Sequence, residues 1–169
     1  VTDFLAHLPR LRRYARALTG DRFAADDLVQ DTVERALSRS TLFRQESKLD
    51  SWLLTIMHNI FISQIRHQAV QPLIASLDDS PESAVRGTET DMLGVRDLER
   101  ALALLPLEQR EVVLLVGLEE LSYDETAQIL GIPVGTVMSR LSRGRERLRS
   151  VLAGQVHAGT IPTPLKVVK

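Results

Sequence analysis

The sequence predicts an all-α protein built from two small helical domains joined by a flexible linker. Three observations carry that expectation. Apolar residues recur at helical spacing along almost the whole chain, while β-branched residues alternating between turn signals are scarce. The length of 169 residues suits one or two small domains. One stretch, "QPLIASLDDSPESAVRGTETDM" from Gln71 to about Met92, breaks the periodicity with prolines, a glycine and a run of Ser, Thr, Asp and Glu. Residues 1–70 therefore read as a first domain, 71–92 as a linker and 93–153 as a second domain. Domains of about 60 to 70 residues bury only about 60% of the surface their unfolded chains expose, which suits compact helical bundles with little stability to spare.

The first clear helix is "AADDLVQDTVERAL", Ala24 to Leu37. Ala25, Leu28, Val29, Thr32 and Ala36 form its buried stripe, and Asp27, Gln30, Asp31 and Glu34 line the opposite side. Two accounts of that acidic side stay open: a solvated face with charge favourably near a helix N-terminus, or a docking surface for a basic partner. Next, "LFRQESKLDSWLLTIMHNIFISQIRHQ" opens as a polar loop, Arg44 to Lys48, and continues as a helix with Leu49, Trp52, Leu53, Ile56 and Ile60 on one side. Trp52 reads as core rather than as a platform for a base. Asn59 and Arg66 share a flank with Thr55 between them in angle; such a pair can bond bases or phosphates and is equally an ordinary surface pair.

In the second domain, Pro106 stands where a first helical residue could, so a helix is expected from there to about Leu118. Ser122 and Glu125 then make a capping box for a helix in which Tyr123, Ala127 and Leu130 share a face, and Gly131 ends it. A short turn, Ile132-Pro133, leads to a helix from about Val134. The small Ala127, the glycine four residues on and Val137 six further have the spacing of a DNA-binding helix-turn-helix, in which alanine permits close approach and glycine takes the left-handed turn. A structural helical hairpin shows the same alanine and glycine, so the outer face of the last helix must arbitrate. At about 100° per residue, Val134, Val137, Leu141, Leu148 and Leu152 define its core side. The outer side carries Thr136, Ser139, Arg143 and Glu146, flanked by Arg140 and Arg147 and by Arg145 and Arg149. Residues 154–169, with Gly159, Pro162 and Pro164, read as a disordered tail.

Composition narrows the chemistry. The balance is that of a globular protein, 44% hydrophobic and 25% charged. No apolar run approaches the roughly 20 residues of a membrane helix and the N-terminus has no signal-peptide pattern, so a soluble, cytoplasmic protein without membrane insertion is expected. The absence of cysteine excludes disulfides, zinc knuckles and thiol catalysis, and the histidines show no metal-ligand spacing, so no metal or cofactor is expected. There is no paired-acid, phosphate-loop or nucleophile motif to support an enzyme. The net charge of −1 conceals an asymmetry: Asp21 to Glu34 holds five acids and one base, and Arg140 to Arg149 five bases and one acid. A solvated face mixes both signs, so the second cluster favours DNA, with arginine able to bond guanine edges and Ser or Thr able to reach bases or phosphates.

In order and spacing, "DDLVQDTVERAL", "SKLDSWLLTIMHNIFISQIR" and "ALALLPLEQREVVLLVGLEELSYDETAQILGIPVGTVMSRLSRGRERLR" resemble the two domains of bacterial extracytoplasmic-function (ECF) sigma factors of the sigma-70 family. The resemblance spans nearly everything but the linker and tail. It implies a sigma-2-like and a sigma-4-like domain, binding to core RNA polymerase, recognition of minus-ten and minus-thirty-five promoter elements, and no enzymatic activity of its own. It further implies that Asp27, Leu28, Val29, Gln30 and Asp31, with Glu34, dock on the β′ clamp helices, with the β subunit as a further contact. Phe43, Arg44, Ser47 and Lys48 would receive an unstacked minus-ten base, with Asn59 and Arg66 on the same element. Thr136, Met138, Ser139, Arg140, Arg143 and Arg147 would face the minus-thirty-five element. Two positions depart from the family pattern, Met138 and Thr55, where many relatives carry a basic residue. An anti-sigma factor is the expected regulator. The rivals are an operator-binding regulator, which needs a ligand pocket or dimer helix in residues 1–70, and a sigma-like mimic, which needs no basic recognition helix.

Overall fold

The computed structural model describes residues 3–44, 48–70 and 92–154, with side chains described from residue 94 onward in the last segment; Ser47, most of the expected linker and residues 155–169 lie outside the described residues. Every regular element among the described residues is helical. After a 3-10 turn at Leu5–His7, α1 runs Leu8–Thr19 and stops at Gly20, whose φ of +70° is the left-handed conformation that glycine adopts without a Cβ penalty. In α2, Arg22–Ser38, Asp21 caps the N-terminus by accepting from the Phe23 amide at 3.1 Å. The long helix α3, Leu49–Val70, completes the first domain. Its core holds the α2 stripe expected from the sequence (Ala25, Leu28, Val29, Thr32 and Ala36) together with Leu11, Tyr14 and Leu18 of α1 and Leu53, Leu54, Met57 and Ile60 of α3.

The second domain comprises α4 (Met92–Ala103), α5 (Leu107–Val113), α6 (Tyr123–Leu130) and α7 (Val134–Leu152). Two local expectations are corrected. Pro106 is not the first helical residue; its ψ of 143° is extended, and it caps α5 by accepting from the Gln109 and Arg110 amides at 3.0 and 2.9 Å. The helix then widens into a π-helical turn, Leu114–Leu118, before the chain reverses through Glu120, a non-glycine at φ +56°. Leu152, expected on the core side of α7, is instead 50% exposed, and Tyr123, which shares a face of α6 with Ala127 and Leu130, is 38% exposed. Each is the terminal residue of its helix, with no further turn of that helix beyond it.

The two domains pack against each other. Leu102, Leu114, Leu115, Leu121 and Ile129 of the second domain belong to the same buried apolar cluster as the core of the first, while Val112, Ala127, Val137 and Leu141 form a smaller core between α5, α6 and α7. Arg110 ties the junction together. Its guanidinium donates to the carbonyls of Leu102, Ala103 and Leu105 at the end of α4 and to that of Leu18 near the end of α1, at 2.8 to 3.1 Å, adding donors where helix ends run short of them. Burial pushes the Arg110 pKa down from the usual arginine value, against the opposing charge of Glu111.

Candidate nucleic-acid and polymerase interface

The helix-turn-helix forms as its spacing predicts. The Ser122 hydroxyl accepts from the Glu125 amide at 3.1 Å and the Glu125 carboxylate accepts from the Ser122 amide at 2.9 Å, closing the capping box of α6. Gly131 takes the left-handed turn at φ +65°, and the amides of Gly131 and Ile132 both return to the Ala127 carbonyl. Pro133, extended, starts α7, and its carbonyl accepts from Thr136 and Val137. Val137 and Leu141 turn inward against Ala127 and Val112. Farther along, Gly144 is buried so tightly that a Cβ there would lie 2.7 Å from Val113 Cγ2 and 3.3 Å from Gln109 Cβ.

That inward side fixes the outward one. Met138, Ser139, Arg143, Arg145 and Arg149 are exposed, and Thr136, Arg140 and Arg147 are partly so. Arg140 lies 3.6 Å from Glu108, a rim pair that water and salt weaken. The surface offers guanidinium forks and hydroxyls to a polyanion, with the apolar Met138, 52% exposed, among them.

In the first domain, Asp27, Gln30, Asp31 and Glu34 project from α2 into solvent, with Asp31 accepting from Gln64 of α3 at 3.3 Å. Leu28 and Val29 are buried, so they hold the acidic face in place from beneath and do not themselves present a surface. The 3-10 turn Ser40–Leu42 brings Phe43 onto Trp52, ring centroids 5.2 Å apart, and Trp52 stacks in turn on Phe4 at 6.4 Å. This aromatic stack anchors the start of the 43–48 loop to α3. Arg44, Asn59 and Arg66 are exposed. Thr55 directs its hydroxyl to the Ser51 carbonyl at 2.7 Å and adds no charge of its own to the flank it shares with Asn59 and Arg66.

Comparison with known proteins matches both domains of the chain. Residues 4–58 match the family model of the sigma2 domain of PhyR and residues 96–148 that of sigma-70 region 4. The ECF RNA polymerase sigma factor EcfG of Rhodopseudomonas palustris is 38% identical over 152 residues, 89% of this chain and 83% of its own length. The chain belongs to the ECF RNA polymerase sigma factors. SigW of Bacillus subtilis, in the same family, is 30% identical over 80% of this chain and 79% of its own. Among solved structures, the sigma factor RpoE of Bartonella quintana, in complex with the anti-sigma factor NepR, superposes with a TM-score of 0.80 at 35% identity, covering 89% of this chain and 94% of that one. As a sigma factor, the protein is a transcription initiation factor and not an enzyme. No helix among the described residues is long and apolar enough to cross a membrane, and no acidic or histidine cluster among them has metal-binding geometry.

What the sequence left unseen in this sigma factor is a set of charged residues between its domains. Glu119, with no side-chain exposure, accepts from the Arg10 guanidinium, which also bonds its backbone carbonyl at 2.8 Å, and Arg13 approaches the same carboxylate at 3.5 Å. Arg10 further pairs with Asp50, as does His7. Burial disfavours the Arg10 charge, but the Glu119 hydrogen bond and the surrounding carboxylates outweigh it and raise its pKa. His58 Nδ1 lies 2.7 Å from the buried Glu111 carboxylate. Lys48 Nζ lies 2.5 Å from Glu125 of the capping box. Burial, with the charges of Glu111 and Glu119 adding to it, pushes the pKa of the fully buried Tyr14 well above its usual value.

Proposed function

We propose that this sigma factor binds core RNA polymerase through the acidic face of α2 and directs it to promoters, reading a minus-ten element with residues 43–48 and α3 and a minus-thirty-five element with α7. The observation that carries this reading is the charge separation between two outward faces: Asp27, Asp31 and Glu34 on α2, and Arg140, Arg143 and Arg147 on α7. The first repels DNA and suits the β′ clamp helices, with the β subunit as a further contact; the second suits phosphate and guanine edges. Phe43, Arg44, Ser47 and Lys48 take an unstacked minus-ten base, with Asn59 and Arg66 beside it, and removal of a base from its stack is offset by aromatic and cationic neighbours. Thr136, Met138 and Ser139 complete the minus-thirty-five contact. The B. quintana relative is held by an anti-sigma factor; an anti-sigma factor likewise covers the polymerase-binding surfaces of this chain, in the cytoplasm.

Two charge changes in the full-length protein test the division of labour. Asp31→Lys is expected to weaken binding to core polymerase at least tenfold. Arg143→Ala is expected to leave core binding unchanged and to cost about 1–3 kcal/mol at the minus-thirty-five element, with relaxed sequence preference there. Unchanged core binding by Asp31→Lys, or an unchanged minus-thirty-five preference in Arg143→Ala, contradicts the assignment of the corresponding face.

A further inference from the structure

The outward side of α7 carries one large apolar residue before its last. Met138 is 52% exposed, stands in the second turn of Val134–Leu152 and, among the described residues, belongs to neither buried apolar cluster, so core packing does not account for it. Its neighbours are those of a polyanion surface. Ser139, Ser142, Arg143 and Arg145 are exposed around it, and at about 100° per residue Arg145 and Ser142 lie about 20° and 40° from it on the same flank. A lone methionine is ordinary on a free surface, but one on the face that enters the groove loses its water together with the arginines there. A thioether gains nothing from a phosphate, since it carries no charge, donates no proton and accepts only weakly. It gains when an apolar group covers it.

We propose that Met138 reads a thymine in the minus-thirty-five element, its side chain packing on the C5-methyl group in the major groove. Of the groups that base pairs present there, that methyl is the apolar one; the others are hydrogen-bond donors and acceptors. A helix-turn-helix sets the first turns of its second helix against base edges, and Met138, the fifth residue of α7, belongs to that part. Arg145, seven residues on, is about 10 Å farther along the axis, in position for a phosphate. Discrimination comes from both sides. Thymine covers the thioether with a methyl group, whereas any other base there leaves a donor or acceptor desolvated against an apolar side chain. The proposal rests on the promoter-reading function stated above and adds which base the uncharged position selects.

The test uses holoenzyme assembled from core polymerase and the full chain. In a promoter library randomised over the minus-thirty-five element, the wild type is expected to select thymine at one position. That selection is expected to vanish in Met138→Ala and persist in Met138→Leu, with the other positions unchanged in both. Deoxyuridine, which pairs as thymine does and lacks only the methyl group, is then placed at that position. It is expected to weaken promoter binding by the wild-type holoenzyme about threefold to fourfold, the factor that burial of one methyl group supplies, and to leave Met138→Ala unaffected. Met138→Lys is expected to lose the thymine preference and to steepen the salt dependence by about one counterion. Thymine selection that is absent or survives in Met138→Ala, wild-type binding indifferent to deoxyuridine, or a salt slope in Met138→Lys equal to that of the wild type each overturns the proposal, while a preference set by the rest of α7 still stands. A wild-type holoenzyme with no sequence preference anywhere in the element contradicts the promoter-reading function itself, and the thymine assignment with it. Weaker binding of Met138→Ala to core polymerase, with deoxyuridine without effect, places the residue on the polymerase instead and equally overturns the proposal.

Discussion

Glu125 shows how one side chain serves two levels of structure. It completes the capping box of α6 and meets Lys48 of the other domain, and the Lys48 hydrogen bond, followed by that of the Ser122 amide, lowers its pKa to about 2. A depressed carboxylate stabilises the fold above its unfolded pKa of about 4.3, and that stabilisation is lost as pH falls from there toward 2. Lys48→Met is therefore expected to move the Glu125 pKa upward, still below 4.3 because the capping hydrogen bonds persist. A carboxyl-carbon NMR titration of both proteins checks this; an unchanged midpoint means that the pair is not formed in solution. At this scale the cap was legible, since Ser122 and Glu125 are local in sequence, whereas the ion pair joins residues 77 positions apart. The same distance problem hid Glu119: next to Glu120 it reads as a solvated acid, and only its cross-domain arginines make it a buried one.

Helical periodicity made α2 legible down to its five buried residues, because a stripe against two neighbours is dictated by spacing alone. The core positions Val137 and Leu141 of α7 were equally plain, and so was the left-handed Gly131. Periodicity assigns a side of a helix but not the depth of burial at its terminus, so the exposure of Leu152 was not legible, nor does periodicity reveal the π-helical turn after Val113. Gly144 also escaped notice, because a glycine between arginines looks like a surface residue until α5 is seen lying across it. Gly144→Val is expected to destabilise the protein by about 1–3 kcal/mol through overpacking against Val113 and Gln109. Gly135→Ala in the same helix meets nothing within 4 Å and is expected to be neutral or stabilising by about 0.5 kcal/mol. Denaturant unfolding of the two variants distinguishes a packing role for Gly144 from simple helix propensity, which would make both changes favourable.

For the whole molecule, two helical domains and two faces of opposite charge, one on α2 and one on α7, were legible from composition, turn signals and the local runs of charge. Their mutual packing was not, because the contacts are apolar and ionic groups that each domain's own pattern assigns to its own core or to solvent. The candidate site follows the same division: the outward arginines of α7 were predictable one helix at a time, and the pairing of Lys48 with Glu125 was not. The central claim, that the chain confers promoter recognition on polymerase, is tested most directly by transcription in vitro with purified core polymerase across a library of promoter sequences. The account predicts that adding this protein produces defined transcripts from a subset of promoters sharing a minus-ten and a minus-thirty-five sequence, and none without it. Core polymerase that fails to bind the protein, or binds it and initiates without promoter preference, would contradict the account.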